Sequence, residues 1–158
     1  MQPVLQVEEL RKVFSRGGRQ SVAAVNGVSF ELMPGECLGV IGESGSGKTT
    51  IANMIARLEE PTGGRILLDG EDITRKRGRE LREVYGRLQM VFQTPVDSFD
   101  PRRTLGFGIS EGLRNGGMSK KAAAAEAERL LERCGLPEEF AKRYPHEVSG
   151  GQCQRAAI

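Results

Sequence analysis

Apolar and polar residues alternate imperfectly over Leu5 to Phe14 and again over Ser21 to Leu32. Both runs are rich in Val, Leu and Phe, and the Gly- and Arg-rich break Ser15 to Gln20 separates them. The pattern predicts two strands of an antiparallel unit joined by a loop. Met33-Pro34-Gly35-Glu36 predicts a turn, because proline presets φ at the second position and glycine accepts a positive φ at the third. The short unbroken apolar run Cys37 to Ile41 predicts a strand covered on both faces, as in a parallel sheet.

From Lys48 the spacing becomes helical. Ile51, Met54, Ile55 and Leu58 mark one face until Pro61 and the Gly63-Gly64 pair end it. Arg65 to Leu68 followed by Asp69-Gly70 predicts a strand running into a tight hairpin turn. A charged helix from Lys76 to Gly86, a strand from Leu88 to Phe92 and an irregular stretch from Thr94 to Thr104, with Pro95 and Pro101, come next. The clearest helix is Ser119 to Cys134, with Ala124, Ala127, Leu131 and Cys134 on one stripe. Ser119 is its expected N-cap and Gly135 its stop. A short helix over Glu138 to Arg143 precedes Pro145, and Ser149 caps a last helix running to Ile158.

Length and composition narrow the class. At 158 residues the chain matches a single-domain length, and 23 Lys and Arg against 21 Asp and Glu leave a net charge of +2, too balanced for a protein held to nucleic acid by a basic face. Three cysteines, Cys37, Cys134 and Cys153, form no Cys-x-x-Cys pair, which argues against a disulfide framework and a zinc knuckle and fits a reducing compartment. No apolar stretch approaches the roughly 20 residues needed to span a bilayer, and Glu8 and Glu9 stand where a signal peptide would be apolar. The 21 glycines are the one excess. Without a collagen or linker repeat, they suggest backbone brought close to a ligand.

The chemistry sits where the predicted strand 37–41 meets the helix from Lys48. Gly42-Glu43-Ser44-Gly45-Ser46-Gly47-Lys48-Thr49 fits the phosphate-loop pattern G-x-x-x-x-G-K-[ST] in full. Its glycines let successive backbone N–H groups turn inward as an anion nest, and the helix that follows presents its positive end to the same phosphates. Lys48 is suited to reach the β and γ phosphates as a point charge, and the Thr49 hydroxyl to hold Mg²⁺.

A second constellation, Val148-Ser149-Gly150-Gly151-Gln152, resembles the L-S-G-G-Q signature of ATP-binding-cassette (ABC) ATPases, with Val148 for Leu. Physically it is another helix N-terminus carrying a hydroxyl and two glycines; its bland reading is an ordinary capped helix start. Between the two, Val91-Phe92-Gln93-Thr94-Pro95 resembles the family's Q-loop, and Phe14 stands at the aromatic position that stacks on adenine, where Tyr is commoner. Met90-Val91-Phe92-Gln93, Ser98-Phe99-Asp100-Pro101-Arg102 and Tyr144-Pro145-His146-Glu147 are similar to the ATP-binding subunits of oligopeptide, dipeptide and nickel importers. Thr94 and Asp100 depart from the Asp and Asn expected there.

The resemblance implies an α/β fold, a P-loop NTPase of the ABC ATPase type, with an N-terminal antiparallel β subdomain, a partial RecA-like core and a helical subdomain, and without the Walker B half. Residues 1–93 would hold the nucleotide-binding core with the β subdomain, P-loop and Q-loop, and residues 94–158 the helical subdomain ending in the signature helix. The implied ligands are ATP and Mg²⁺. Lys48 and Gln93 would be catalytic, and Thr49 and Gln93 would meet the metal. Phe14, Gly42 to Thr50, and Ser149 to Gln152 would bind nucleotide. The implied partners are permease subunits and a second ATP-binding subunit, with no nucleic acid, at the cytoplasmic face of the inner membrane as a peripheral protein. Thr94 to Thr104 is the candidate permease-docking segment.

Several weaker signals receive bland readings. Ile66-Leu67-Leu68-Asp69 imitates a Walker B strand, but Gly70 stands in place of the catalytic Glu, so a hairpin is expected. The cluster Arg75, Lys76, Arg77, Arg79, Arg82 and Arg87 reads as a solvated face. His146 reads as local packing or capping, and Cys153 as a partly exposed helix residue. Because Walker B and its Glu do not precede Ile158, the chain is expected to be a fragment that binds ATP without turnover. Rival readings are a soluble ABC-type ATPase of translation or repair, a kinase using only the phosphate loop, and a non-catalytic nucleotide-binding fragment.

Overall fold

A computed structural model describes residues 2–16 and 20–158. The chain divides into two compact units, Met1–Gln89 and Met90–Ile158.

In the first unit the expected antiparallel pair forms as β1 (Leu5–Arg16) and β2 (Gln20–Leu32); the tip of the expected loop, residues 17–19, lies outside the described residues. β3 (Gly63–Leu68) pairs with the other edge of β1, and β4 (Glu71–Asp72) with β3, giving an antiparallel sheet in the order β2-β1-β3-β4. β1 bulges at Glu9, whose φ is +47°. There Gly64 lies so close that an added Cβ would meet the Glu8 and Glu9 carbonyl oxygens at 2.5 and 2.4 Å. The Asp69-Gly70 hairpin forms with both residues at positive φ, 51° and 79°, as a type I′ turn demands. Glu36 N–H donates to the Met33 carbonyl at 3.1 Å, closing the expected turn over Pro34-Gly35.

The sheet buries Val7, Leu10, Val25, Ile66 and Leu68 against Ile51 and Met54 of α1 (Lys48–Ile55) and Val84 of α2 (Gly78–Tyr85). α1 is shorter than its apolar spacing predicts. Arg57 takes a left-handed φ of +59°, so the chain turns, Leu58 N–H and Glu59 N–H both donate to the Asn53 carbonyl, and Leu58 is exposed. The basic cluster is solvated and largely neutralised locally. Lys76 and Arg87 both bond Glu71, Arg77 bonds Glu60 at 2.9 Å, and Arg79 lies 3.8 Å from Glu83.

Two expected strands do not form. Residues 37–41 and 88–92 carry no ladder, and Leu38, Val40, Ile41 and Val91 are exposed, Ile41 by 97%. An apolar run becomes a strand only when a neighbour takes its N–H and C=O groups. The four strands described pair only with one another, so neither apolar run has a ladder partner among the described residues.

In the second unit, Pro95–Ser98 makes a 3-10 turn and is followed by α3 (Leu105–Asn115), α4 (Lys120–Arg133), short 3-10 turns over Glu138–Lys142 and Pro145–Glu147, and α5 (Gly150–Ala157). α3 is absent from the sequence reading, because Gly106, Gly108 and Gly112 mask its helical spacing. The first two are packing glycines: a Cβ on Gly106 would meet the Ala141 carbonyl oxygen at 2.7 Å, and one on Gly108 the Phe99 ring at 2.8 Å.

α4 starts on its Ser119 cap, which accepts from Ala122 N–H at 3.3 Å. It ends in a Schellman arrangement: Leu136 N–H bonds the Leu131 carbonyl and Gly135 N–H the Glu132 carbonyl, both at 2.9 Å, with Gly135 at φ +70°. Its buried stripe is Ala123, Ala127 and Leu131, at strict i, i+4 spacing, and Ala124 faces outward. Leu105, Leu131, Leu136, Phe140 and Ala156 form the core of this unit, with Phe99 and Val148 packed against it. Cys153 is fully buried, contrary to the partly exposed position expected, because it lies on the inner face of α5. Among the described residues no helix is long and apolar enough to cross a membrane.

Candidate functional site

The phosphate loop is built by glycines. Gly45 and Gly47 stand at φ +81° and +93°, where an L side chain is strained. Ser46 N–H donates to the Glu43 carbonyl at 3.2 Å, and Ile51 N–H to the Gly47 carbonyl at 2.9 Å as α1 begins. Gly47 is the N-cap of α1 and offers no side-chain acceptor; the first turn holds no acid either. The leading N–H groups of that helix are therefore left for an anion, which the helix dipole also favours.

Lys48 lies within the curl of the loop. Its Nζ donates to the carbonyls of Gly42 at 2.7 Å and Glu43 at 2.6 Å, and stands 3.3 Å from Ser46 Oγ. The carbonyls at the start of the loop thus hold the ammonium against the loop, a point charge of the kind that suits a phosphate. Gly42, Glu43, Ser44, Gly45 and Ser46 are solvent-exposed, as is Thr49, while Gly47, Lys48 and Thr50 are half-buried. The donor set of backbone N–H groups, an ammonium and adjoining hydroxyls fits a magnesium-bound polyphosphate.

Contact with the sheet holds the loop in place. The Cβ that Gly47 lacks would stand 2.3 Å from the Ala24 carbonyl oxygen of β2. Two residues along β2, Val22 is the register partner of Phe14. The strand pair thus bears both the loop's backbone contact at Ala24 and the Phe14 ring. Phe14 is 42% exposed, and Lys12 Nζ stands 4.9 Å from its ring centroid. Sequence reasoning singled out Phe14 and missed Lys12 and Ala24. The available signal for Lys12 was its i, i+2 spacing from Phe14 within a strand.

The remaining candidates belong to the second unit. Gln93 is exposed and lies outside any strand, just ahead of the Pro95–Ser98 turn. Ser149 and Gln152 form a reciprocal capping box at the start of α5: Gln152 N–H donates to Ser149 Oγ at 3.3 Å and Ser149 N–H to Gln152 Oε1 at 2.8 Å. The bland reading of this motif thus describes a real cap. Gly150 and Gly151 face open space, so the outer surface of the same turn is bare backbone. Val148 anchors the turn in the core of the unit, and Arg155 bonds the Cys134 and Gly135 carbonyls at 3.4 and 3.2 Å, tying α5 to the end of α4.

His146 stacks on Tyr144 with ring centroids 5.5 Å apart, and Glu147 accepts from Tyr144 N–H at 2.8 Å, so this stretch is locally braced. In the candidate docking segment, Phe99 is a packing residue. Arg102 is exposed and folded onto Asp100 at 3.2 Å, and this pairing holds the Asp100 carboxyl below its ordinary range.

Comparison with known proteins matches residues 25–158 to a family described as ABC transporter. A protein of Brucella ovis, provisionally named a peptide import ATP-binding protein, is 43% identical over 157 residues, covering 99% of this chain and 49% of its own length. The glutathione import ATP-binding protein GsiA of Escherichia coli (strain K12) is 46% identical over 164 residues, covering 99% of this chain and 26% of GsiA. Among solved structures, the ATP-binding cassette MJ0796, dimeric in a post-hydrolysis state with ADP and Pi, superposes with a TM-score of 0.81 at 29% identity. That match covers 97% of this chain and 66% of the cassette. The chain spans about half the length of the Brucella relative and about a quarter of GsiA.

Proposed function

The chain belongs to the ABC transporter family, whose fold it carries, and from that premise we propose that it is the nucleotide-gripping part of an importer's ATP-binding subunit. The observation that carries the proposal is the phosphate loop: glycines at positive φ, a helix start without a side-chain cap and Lys48 Nζ held by the Gly42 and Glu43 carbonyls. Lys48 and the N–H groups from Gly45 to Thr50 hold the phosphates, Thr49 and Gln93 hold Mg²⁺, and Phe14 stacks on the base. Bound Mg²⁺ supplies charge neutralisation at the phosphate oxygens. Gln93 orients the attacking water.

In the working protein, two such subunits meet head to tail, and Ser149 to Gln152 of one chain grip the γ-phosphate held by the other. Hydrolysis is in-line attack of water, accelerated mostly by positioning and electrostatics. Residues 1–93 serve as the nucleotide core and residues 94–158 as the helical subdomain that relays closure. The carried solute is a peptide or nickel, in keeping with the importer-like motifs and the peptide-import names of the relatives. The protein sits peripherally at the cytoplasmic face of the membrane, docked on permease subunits through Thr94 to Thr104. Arg102 is the residue there that can be changed without disturbing a core.

No apolar run followed by Asp-Glu occurs in residues 1–158, so the proposal assigns these residues ATP binding through the phosphate loop without turnover of their own. Titration of the chain with ATP and Mg²⁺ tests the reading: saturable binding lost in Lys48→Ala supports it. Binding that survives Lys48→Ala, or steady hydrolysis abolished by that change, overturns the respective part.

A further inference from the structure

Lys12 is only 8% exposed, although it lies in a strand whose neighbours Arg11, Val13 and Phe14 are exposed. A buried ammonium needs partners for its charge and its three N–H donors. Lys12 Nζ donates to Glu59 Oε1 at 2.5 Å and to the Glu60 carbonyl at 2.7 Å, and its remaining side stands 4.9 Å from the Phe14 ring centroid. Glu59 and Glu60 belong to the turn that ends α1, and α1 begins at Lys48 of the phosphate loop. One ammonium therefore links the aromatic ring to the far end of the phosphate-binding helix.

We propose that Lys12 is a positioning residue for the purine of the bound nucleotide. It backs one face of the Phe14 ring and fixes that ring relative to α1, so that base and phosphates are received at one set spacing. The inference rests on the reading of Phe14 as the base platform. A phenyl ring exposed at a strand end would otherwise sample its rotamers freely, and each base bound would bear the cost of ordering it. With Lys12 against one face, only the opposite face is offered to a base. The cation also draws π density toward itself, leaving the opposite face better suited to stack on an electron-rich purine.

A merely structural clamp between β1 and α1 would weaken all ligands alike. The test is therefore the ratio of affinities for ATP and for tripolyphosphate, both with Mg²⁺, on the full 158-residue chain. Partial unfolding lowers the two affinities by the same factor and leaves the ratio intact. Phe14→Ala is expected to reduce the preference for ATP about tenfold, Lys12→Met about three- to fivefold, and Lys12→Arg by less than twofold, since a guanidinium also backs an aromatic ring.

A ratio unchanged in Lys12→Met while Phe14→Ala lowers it overturns this inference and leaves the platform reading standing. A ratio unchanged in Phe14→Ala, or a wild-type chain with no preference for ATP, removes the platform reading and this inference with it.

Discussion

Gly47 stands so close to Ala24 that a Cβ on it would lie 2.3 Å from the Ala24 carbonyl oxygen. No shift of a flexible side chain relieves that contact, because both partners are backbone. The phosphate loop is consequently seated on β2 by an absent side chain, and the positive φ of Gly47 adds a second reason for glycine.

Gly47→Ala is therefore expected to displace the loop, with nucleotide affinity lost at least about tenfold and stability lowered by about 2–4 kcal/mol from strain plus overlap. Gly45→Ala meets open space and bears only the strain at φ +81°, so its stability loss should be about 1–2 kcal/mol. Thermal melts and ATP titration of the two variants check the order; equal losses would mean that the Ala24 contact is immaterial.

Glycines in α3 should respond with opposite signs. Gly112 faces open space, so Gly112→Ala gains helix propensity and is expected to stabilise by about 0.5–1 kcal/mol. Gly106→Ala gains the same propensity but drives a methyl group against Ala141, whose carbonyl oxygen and Cβ lie 2.7 and 2.8 Å from the new atom. Overpacking of about 1–3 kcal/mol outweighs the gain. Denaturant midpoints for the two variants on either side of wild type would bear this out.

Acid should loosen the β3–β4 hairpin through Asp72. Thr74, by its hydroxyl and its backbone N–H, which donates at 2.8 Å, holds the Asp72 carboxyl below its ordinary value of 3.8. A lowered native value means that the contribution is fully present above about pH 4 and disappears as pH falls through that lowered value. Asp72→Asn should be less stable than wild type near neutrality, with the difference shrinking below pH 4. A difference constant across pH 2–7 contradicts the assignment.

Cysteine labelling reports on the unpaired segment. Cys37 is exposed and Cys153 buried, and burial pushes the Cys153 thiol above its ordinary range, which disfavours the reactive thiolate. A thiol reagent at pH 7.5 should modify Cys37 within the mixing time and Cys153 only on unfolding. Slow labelling of Cys37 would mean that residues 37–41 are covered.

Local rules made much of this legible. Asp69-Gly70 announced a hairpin, and Ser119 with Gly135 bounded α4, because each of these features is decided by the chain within a few residues of itself. The phosphate loop was legible for the same reason: its glycines, Lys48 and helix start are contiguous. α3 was not, since Gly106 and Gly108 serve partners distant in sequence, Ala141 and Phe99, and their cost to a lone helix hid the apolar spacing. The buried stripe of α4 likewise ran through Ala123 and not Ala124, a choice that four successive alanines cannot express and that packing made.

By itself, then, the sequence determined the turns, the caps, the glycine-rich loop that opens α1 and the family, all of which rest on short-range backbone chemistry or contiguous motifs. Whether Cys37 to Ile41 is a strand lies beyond local sequence, since a strand exists only through a neighbour's hydrogen bonds, and among the described residues no strand pairs with it. Tertiary structure alone decided that Lys12 is buried between Phe14 and the turn ending α1, since a lysine's partners come from wherever the fold brings an acceptor and a ring within reach of its charge.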